Sequence, residues 1–204
     1  LSVVTMQTSR TFPILPEVVR EVLKHQKPDG HWGDPFTTGS INNSDMALLW
    51  GNGRLLVGLT AYYRLSGDKD VLAAATKLGD LFIQLAPRLN TDAVQKEFSD
   101  MRIAVGYICW THTIEGLVAL AGITGDSRYV VLAEQVAART RMYPSQHSHG
   151  FATTLRSILD LNQLTGKPEY LAQVEKAWDG IVQSGNVLPH GALPEAFKPS
   201  IDRD

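Results

Sequence analysis

The sequence of 204 residues has one cysteine, Cys109, no long apolar run and no excess of either charge. A single cysteine excludes an internal disulfide and any thiolate-rich metal site built by this chain alone. The longest apolar stretches, such as Ile103 to Trp110, are about 8 residues, far short of the ~20 that cross a bilayer. Lys plus Arg number 19 against 21 acidic residues, for a net charge of −2. Nucleic acid and anionic membranes both select concentrated positive charge, so neither is expected as a partner. No basic n-region with an apolar h-region follows Leu1, so no signal peptide is visible, which tips the expected compartment toward the cytoplasm. That start, and an end at Asp204 inside a loop-like stretch, raise the expectation of a piece of something longer.

Strand-like alternation is also scarce; what the chain has is helical period. Val18, Val19, Val22 and Leu23 make a short apolar face behind Pro16 and Glu17, which suit a first turn. Asn43 or Ser44 can cap a long segment carrying Met46, Leu49, Trp50, Leu55, Leu56, Leu59 and Tyr62. Ser66-Gly67-Asp68 stops it, and a second helix is expected from about Asp70 to Ala86, ended by Pro87. The arrangement returns twice. One helix runs into Thr124-Gly125-Asp126 and is followed by another from Tyr129 to about Arg141; a further helix runs into Thr165-Gly166-Lys167 and is followed by one from Tyr170 to about Val182. The fold class is all-α.

Aligning Gly67, Gly125 and Gly166 superposes Leu56/Ile114/Leu155, Leu59/Leu117/Ile158, Tyr62/Leu120/Leu161 and Leu65/Ile123/Leu164. The unit is a helix, a tight glycine turn and a helix, recurring at separations of 58 and 41 residues. Uneven spacing disfavours a strict solenoid and suits an α/α toroid of helical hairpins. Three hairpins and one N-terminal helix are about half of a six-hairpin ring. The expected division is an N-terminal extension over 1–15 and a partial (α/α) barrel over 16–204.

Turns within hairpins are short, whereas the links between them, near 27–43, 88–109, 142–150 and 185–204, are long. Antiparallel helices alternate in direction, so the long links emerge together at one end, where function usually sits. His31 with Trp32, Trp110 with His112, His147 with His149, and His190 with Glu195 all lie on or beside that end. Gln26 to Gly33 reads first as a turn braced by its glutamine, with Trp32 packed nearby. His112 starts a helix with Glu115 three positions on, so Glu115 is expected to hold one imidazole tautomer, with Trp110 as a wall for a sugar ring. His147 and His149 can bind a polar substrate, but no third metal ligand accompanies them, so no metal is expected within this chain. Glu195, in Pro194-Glu195-Ala196-Phe197, needs burial or a second carboxylate to act as a general acid. Arg139, Arg141 and Lys167 read as solvated helix faces.

Trp50-Gly-Asn-Gly-Arg-Leu-Leu-Val-Gly-Leu-Thr-Ala-Tyr-Tyr63, followed by Gly67-Asp68, resembles the first core hairpin of the β-L-arabinofuranosidase-like family, family 127 of the glycoside hydrolases. His112-Thr113-Ile114-Glu115-Gly116 is similar to that family's His-x-Ile-Glu helix, and the stretch from His147 or His149 to Gly166 to its later His-bearing helix. Pro194-Glu195-Ala196-Phe197 is similar to its Gly-Glu-Ala-Phe segment. The resemblance implies an (α/α)₆ barrel and retaining hydrolysis of a β-L-arabinofuranosyl or related glycoside. It makes Glu195 the acid/base and His112 and His147, with His149 the alternative, substrate-binding residues; Trp50 stands with Trp110 as a candidate contact to the carbohydrate. The family's nucleophile is a zinc-bound cysteine, and Cys109 falls at none of its zinc positions, so zinc is expected only in a complete protein and these residues alone are expected to be inactive. Two readings stand beside it: a sugar 2-epimerase of the N-acylglucosamine type using His112 and His147 as acid and base, and a non-catalytic carbohydrate-binding toroid. Oligomeric state is not legible in the sequence.

Overall fold

Three left-handed glycines set the architecture. The computed structural model describes residues 12–99 and 107–198. In it Gly67, Gly125 and Gly166 have φ of 68°, 71° and 69°, the conformation that ends a helix at little steric cost when no Cβ is present. Their N–H groups donate to the carbonyls of Tyr63, Ala121 and Asn162, each at 2.8 Å. The hydroxyl just before each glycine adds a second tie. Ser66, Thr124 and Thr165 each donate to the carbonyl four residues back and accept the N–H of Asp68, Asp126 or Lys167. Asp68 and Asp126 then cap the next helix by accepting from the N–H of Asp70 and Arg128. Lys167 makes no such bond, and Pro168 opens that helix instead.

The elements in chain order are α1 (Leu15–Lys24), α2 (Asn43–Ser66), α3 (Lys69–Leu89), α4 (Asp92–Ser99), α5 (Ile108–Thr111), α6 (Thr113–Thr124), α7 (Ser127–Ala138), α8 (Ser148–Thr165) and α9 (Pro168–Gln183). Pairs α2–α3, α6–α7 and α8–α9 are the three expected hairpins. The described residues hold no strand, only an isolated antiparallel bridge between His147 and Ala196. The fold is all-α with the hairpin arrangement of an α/α toroid. No helix among the described residues is long and apolar enough to cross a membrane. Residues 1–11, 100–106 and 199–204, which carry most of the expected extension and parts of two links, lie outside the described residues.

Several boundaries differ from the sequence expectation. Asn42 rather than Asn43 or Ser44 caps α2, in a capping box with Asp45. Helix α3 runs past Pro87 to Leu89, because Leu89 is buried and the Asn90 N–H still reaches the Ala86 carbonyl at 2.8 Å. Helix α7 stops at Ala138, where Arg141 folds back to donate to the Ala138 and Thr140 carbonyls. Helix α4 was not anticipated. It is short, and it is fixed from outside: Phe98 is buried, and Gln95 donates to the Arg139 carbonyl and the Tyr143 hydroxyl.

Helices α2, α6 and α8 lie side by side, with α3 and α7 packed behind α2 and α6, and α9 against α8. Contacts at three levels show that the inner helices run parallel. Trp50 stacks on His112 at the top, Arg54 and Arg156 meet Glu115 one turn lower, and Arg64 and Leu164 approach Gly122 near the glycine turns. Residue numbers rise in the same direction on all three. The repeat positions Leu56, Ile114, Leu155, Leu59, Leu117 and Ile158 are buried between the layers, whereas Leu65 and Leu164 reach the exposed rim.

The cap pattern gives a check with an internal control. Asp68→Ala and Asp126→Ala should each lower unfolding stability by about 1 kcal/mol, read by urea denaturation. Lys167→Ala, which removes no capping bond, should stay within about 0.5 kcal/mol of the parent.

Candidate active site

Two long links meet at the start of α8. The Ser145 N–H donates to the Phe197 carbonyl at 3.0 Å, the Phe197 N–H to Gln146 at 2.9 Å and the Ser148 N–H to Glu195 at 3.0 Å. The Ser148 hydroxyl donates to the Pro194 carbonyl, and Phe197 is buried edge-on against Phe151, with ring centres 5.6 Å apart. These contacts dock Pro194-Glu195-Ala196-Phe197 onto the helix. The Glu195 carboxylate then lies 2.8 Å from His147 Nε2.

From His147 the cluster extends inward. Its ring centre is 5.6 Å from that of His149 and 5.9 Å from that of Trp50, both edge-on. Trp50, in the second turn of α2, stacks on His112 with centres 4.5 Å apart and planes 23° from parallel. Trp50, His112, His147, His149 and Glu195 therefore come together from α2, the start of α6, the start of α8 and the last link.

His112 is 2% exposed, and neither ring nitrogen has a hydrogen-bond partner among the described residues. A buried imidazole without partners bears a desolvation penalty in either charge state, and a far larger one when protonated. Burial, then the positive charge of Arg54, pushes its pKa down to about 4. Two glycines let the surrounding backbone close on it. A Cβ at Gly53 would lie 3.0 Å from the His112 carbonyl oxygen, and one at Gly150 would lie 3.2 Å from Nε2 and 2.3 Å from Ile108 Cδ1.

Three expectations are corrected by the geometry. Trp110 is no sugar wall: it is fully buried, its indole N–H donates to Asn90, and its ring meets Phe82 edge-on. Apolar neighbours such as Phe82 and a fixed indole partner in Asn90 hold it in the core. Glu115 does not hold His112. Its carboxylate takes Arg156 at 2.6 Å and also Arg54, and two guanidiniums outcompete a neutral imidazole. Burial alone would raise the Glu115 pKa, but the bonds from Arg156 and Arg54 hold it below the usual carboxylate range. Arg139 is not a solvated surface residue; it pairs with Asp92 and donates to Gln95, tying α4 to the end of α7.

The convergence of histidines is partial. His31 is buried beside Asp29 and Phe36, and His190 is exposed. The Gln26 turn is a brace, as read from the sequence. The Gln26 amide donates to Gly30 and Ala74, each at 2.9 Å, and the Trp32 indole donates to the Val22 carbonyl. Arg54 and Arg156 were missed in the sequence, although Trp50 with Arg54 at i+4 is a one-face pair that points to them.

Zinc does not fit the donors among the described residues. No group of three or more His, Cys, Asp or Glu among the described residues is arranged to hold a metal ion. Burial pushes the Cys109 thiol up to about 12, the reverse of a metal-ready or nucleophilic thiolate. Glu195 has neither burial nor a second carboxylate beside it; its side chain is 87% exposed and its partner is His147.

His112 makes stability pH-dependent with a definite sign. Its folded pKa of about 4 lies below the ordinary 6.5, so the unfolded chain takes up a proton first as pH falls. Stability should be unaffected by this group above pH 6.5 and drop by about 2 kcal/mol on going to pH 5. In His112→Phe that part of the slope should vanish, measured by urea denaturation at pH 7 and 5.

No curated protein matches the chain. The family model for the β-L-arabinofuranosidase catalytic domain of glycoside hydrolase family GH127 matches residues 10–199, starting earlier than the motifs that suggested the family. With nearly its whole length matched, from before α1 to beyond the docked Glu195 segment, this chain belongs to the GH127 β-L-arabinofuranosidase catalytic-domain family.

Proposed function

We propose that the Trp50–His112–His147–His149–Glu195 cluster binds a furanosyl sugar and supplies the proton-transfer half of retaining hydrolysis of a β-L-arabinofuranosyl or related glycoside. The observation that carries this reading is His112: a buried imidazole with two nitrogens unpartnered among the described residues, stacked against the half-buried Trp50 indole. Sugar hydroxyls both donate and accept, so one can satisfy a ring nitrogen that the protein leaves bare. Trp50 offers an aromatic face to the C–H side of a sugar ring, and the exposed His149 is placed for a further hydroxyl. Family membership supports the glycosidase reading over 2-epimerisation.

In this reading Glu195 protonates the leaving oxygen as the glycosidic C–O bond breaks, and later takes the proton from the water that releases the sugar. Retention also requires a nucleophile on the opposite face. Buried Cys109 is held as a neutral thiol, so we assign it no such role. These 204 residues are accordingly expected to bind without turning over.

Calorimetric titration of this chain with methyl β-L-arabinofuranoside tests the proposal. Trp50→Ala and His112→Phe should weaken binding at least about tenfold, while Glu195→Gln should leave it within about threefold. Aryl β-L-arabinofuranoside should give no aryl release with the chain alone. Equal binding by His112→Phe would remove the sugar from this cluster. Solvent deuterium entering C2 of a free sugar would establish the epimerase instead.

A further inference from the structure

His147 does two things at once. It is the N-cap of α8, and its side chain caps through Nδ1, which accepts the Gly150 N–H at 3.1 Å. A backbone amide can only donate, so Nδ1 carries a lone pair and no proton. In the neutral ring the proton must then sit on Nε2. Nε2 is the atom 2.8 Å from Glu195 Oε1, so the imidazole donates and the carboxyl oxygen accepts. The helix cap thus fixes the tautomer, and the tautomer fixes the direction of the hydrogen bond.

The backbone keeps this pair in register. The bridge between His147 and Ala196, with the Ser148 N–H on the Glu195 carbonyl, holds the two residues face to face. The edges of Trp50 and His149 flank the imidazole on its other sides.

We propose that His147 is a positioning residue that assigns the two oxygens of Glu195 different tasks. Oε1 is kept as an acceptor by His147 Nε2–H and cannot itself be the site of the transferred proton while that bond persists. Oε2, with no partner from His147, is the oxygen that gives the proton to the leaving group and takes it back from water. This assignment rests on the reading of Glu195 as acid/base, but its structural core, the locked tautomer and its effect on the carboxylate, does not require a substrate.

Two measurements on the substrate-free chain test it. Long-range ¹H–¹⁵N correlation at about pH 8 should show His147 with a bare Nδ1 and a protonated Nε2; the opposite tautomer overturns the proposal without any variant being made. His147→Asn separates capping from donation, since Asn is a strong N-cap that can accept the Gly150 N–H but lacks the Nε2–H donor. It should melt within about 1 °C of the parent, whereas His147→Ala, which loses the cap, should melt about 2–4 °C lower. In His147→Asn the ¹³C signal of the Glu195 carboxyl should move at fixed pH, because the hydrogen bond to it is gone. An unmoved Glu195 signal would leave His147 as a cap only and overturn the proposal. A parent chain that binds no methyl β-L-arabinofuranoside while the tautomer and the carboxyl shift are as expected would instead count against the glycosidase reading.

Discussion

Burial of α6 on almost every side is the constraint from which the rest follows. Helices α2 and α8 flank it, and α3 and α7 lie behind. A helix so enclosed keeps only a narrow open strip, at Glu115, Ala119 and Gly122, while Ile114, Leu117, Val118, Leu120 and Ala121 are buried around the rest of its circumference. Gly116 lets α2 approach: a Cβ there would lie 2.7 Å from Leu56 Cγ. With α6 fixed, each glycine hairpin sends the chain out along an inner helix and brings it back along an outer one, so α2 and α8 run parallel to α6 while α3 and α7 run against it. The three inner helices therefore start at the same end.

That common end explains where polar chemistry is tolerated. Below it the inner helices are tied by Glu115, which gathers Arg54 and Arg156 from both neighbours. The triad is half-buried, so neither arginine is lost to solvent and the carboxylate stays charged. One turn above, His112 has no such compensation and stays neutral. Within a few ångströms the same scaffold holds a paired, charged group and an unpaired, neutral one. The first holds helices together, and the second leaves two ring nitrogens buried without a partner among the described residues.

Much of this was readable in the residues. Gly67, Gly125 and Gly166 announced the hairpins because αL termini favour one residue type. The apolar triplets named the core because helical period is a property of the chain itself. The Pro194-to-Phe197 segment and the two histidine helices named most of the side chains that cluster at the candidate site, although their separation in sequence exceeds anything local physics can bridge. Helix α4 escaped because an eight-residue helix with one buried aromatic owes its order to Arg139 and Tyr143, which lie some 45 residues away.

What the sequence determined by itself, then, is local: where helices stop, which face of each is apolar, and which polar residues sit near helix starts. Hydrogen-bond closure and side-chain period act within a few residues, so they leave their record in the chain. Tertiary structure alone decided the partners. It drew Trp110 into the core and left Trp50 against His112, gave Glu115 to two arginines rather than to the histidine one turn away, and set Glu195 on His147. Those choices depend on distances across helices and on desolvation, which exist only once the layers have packed.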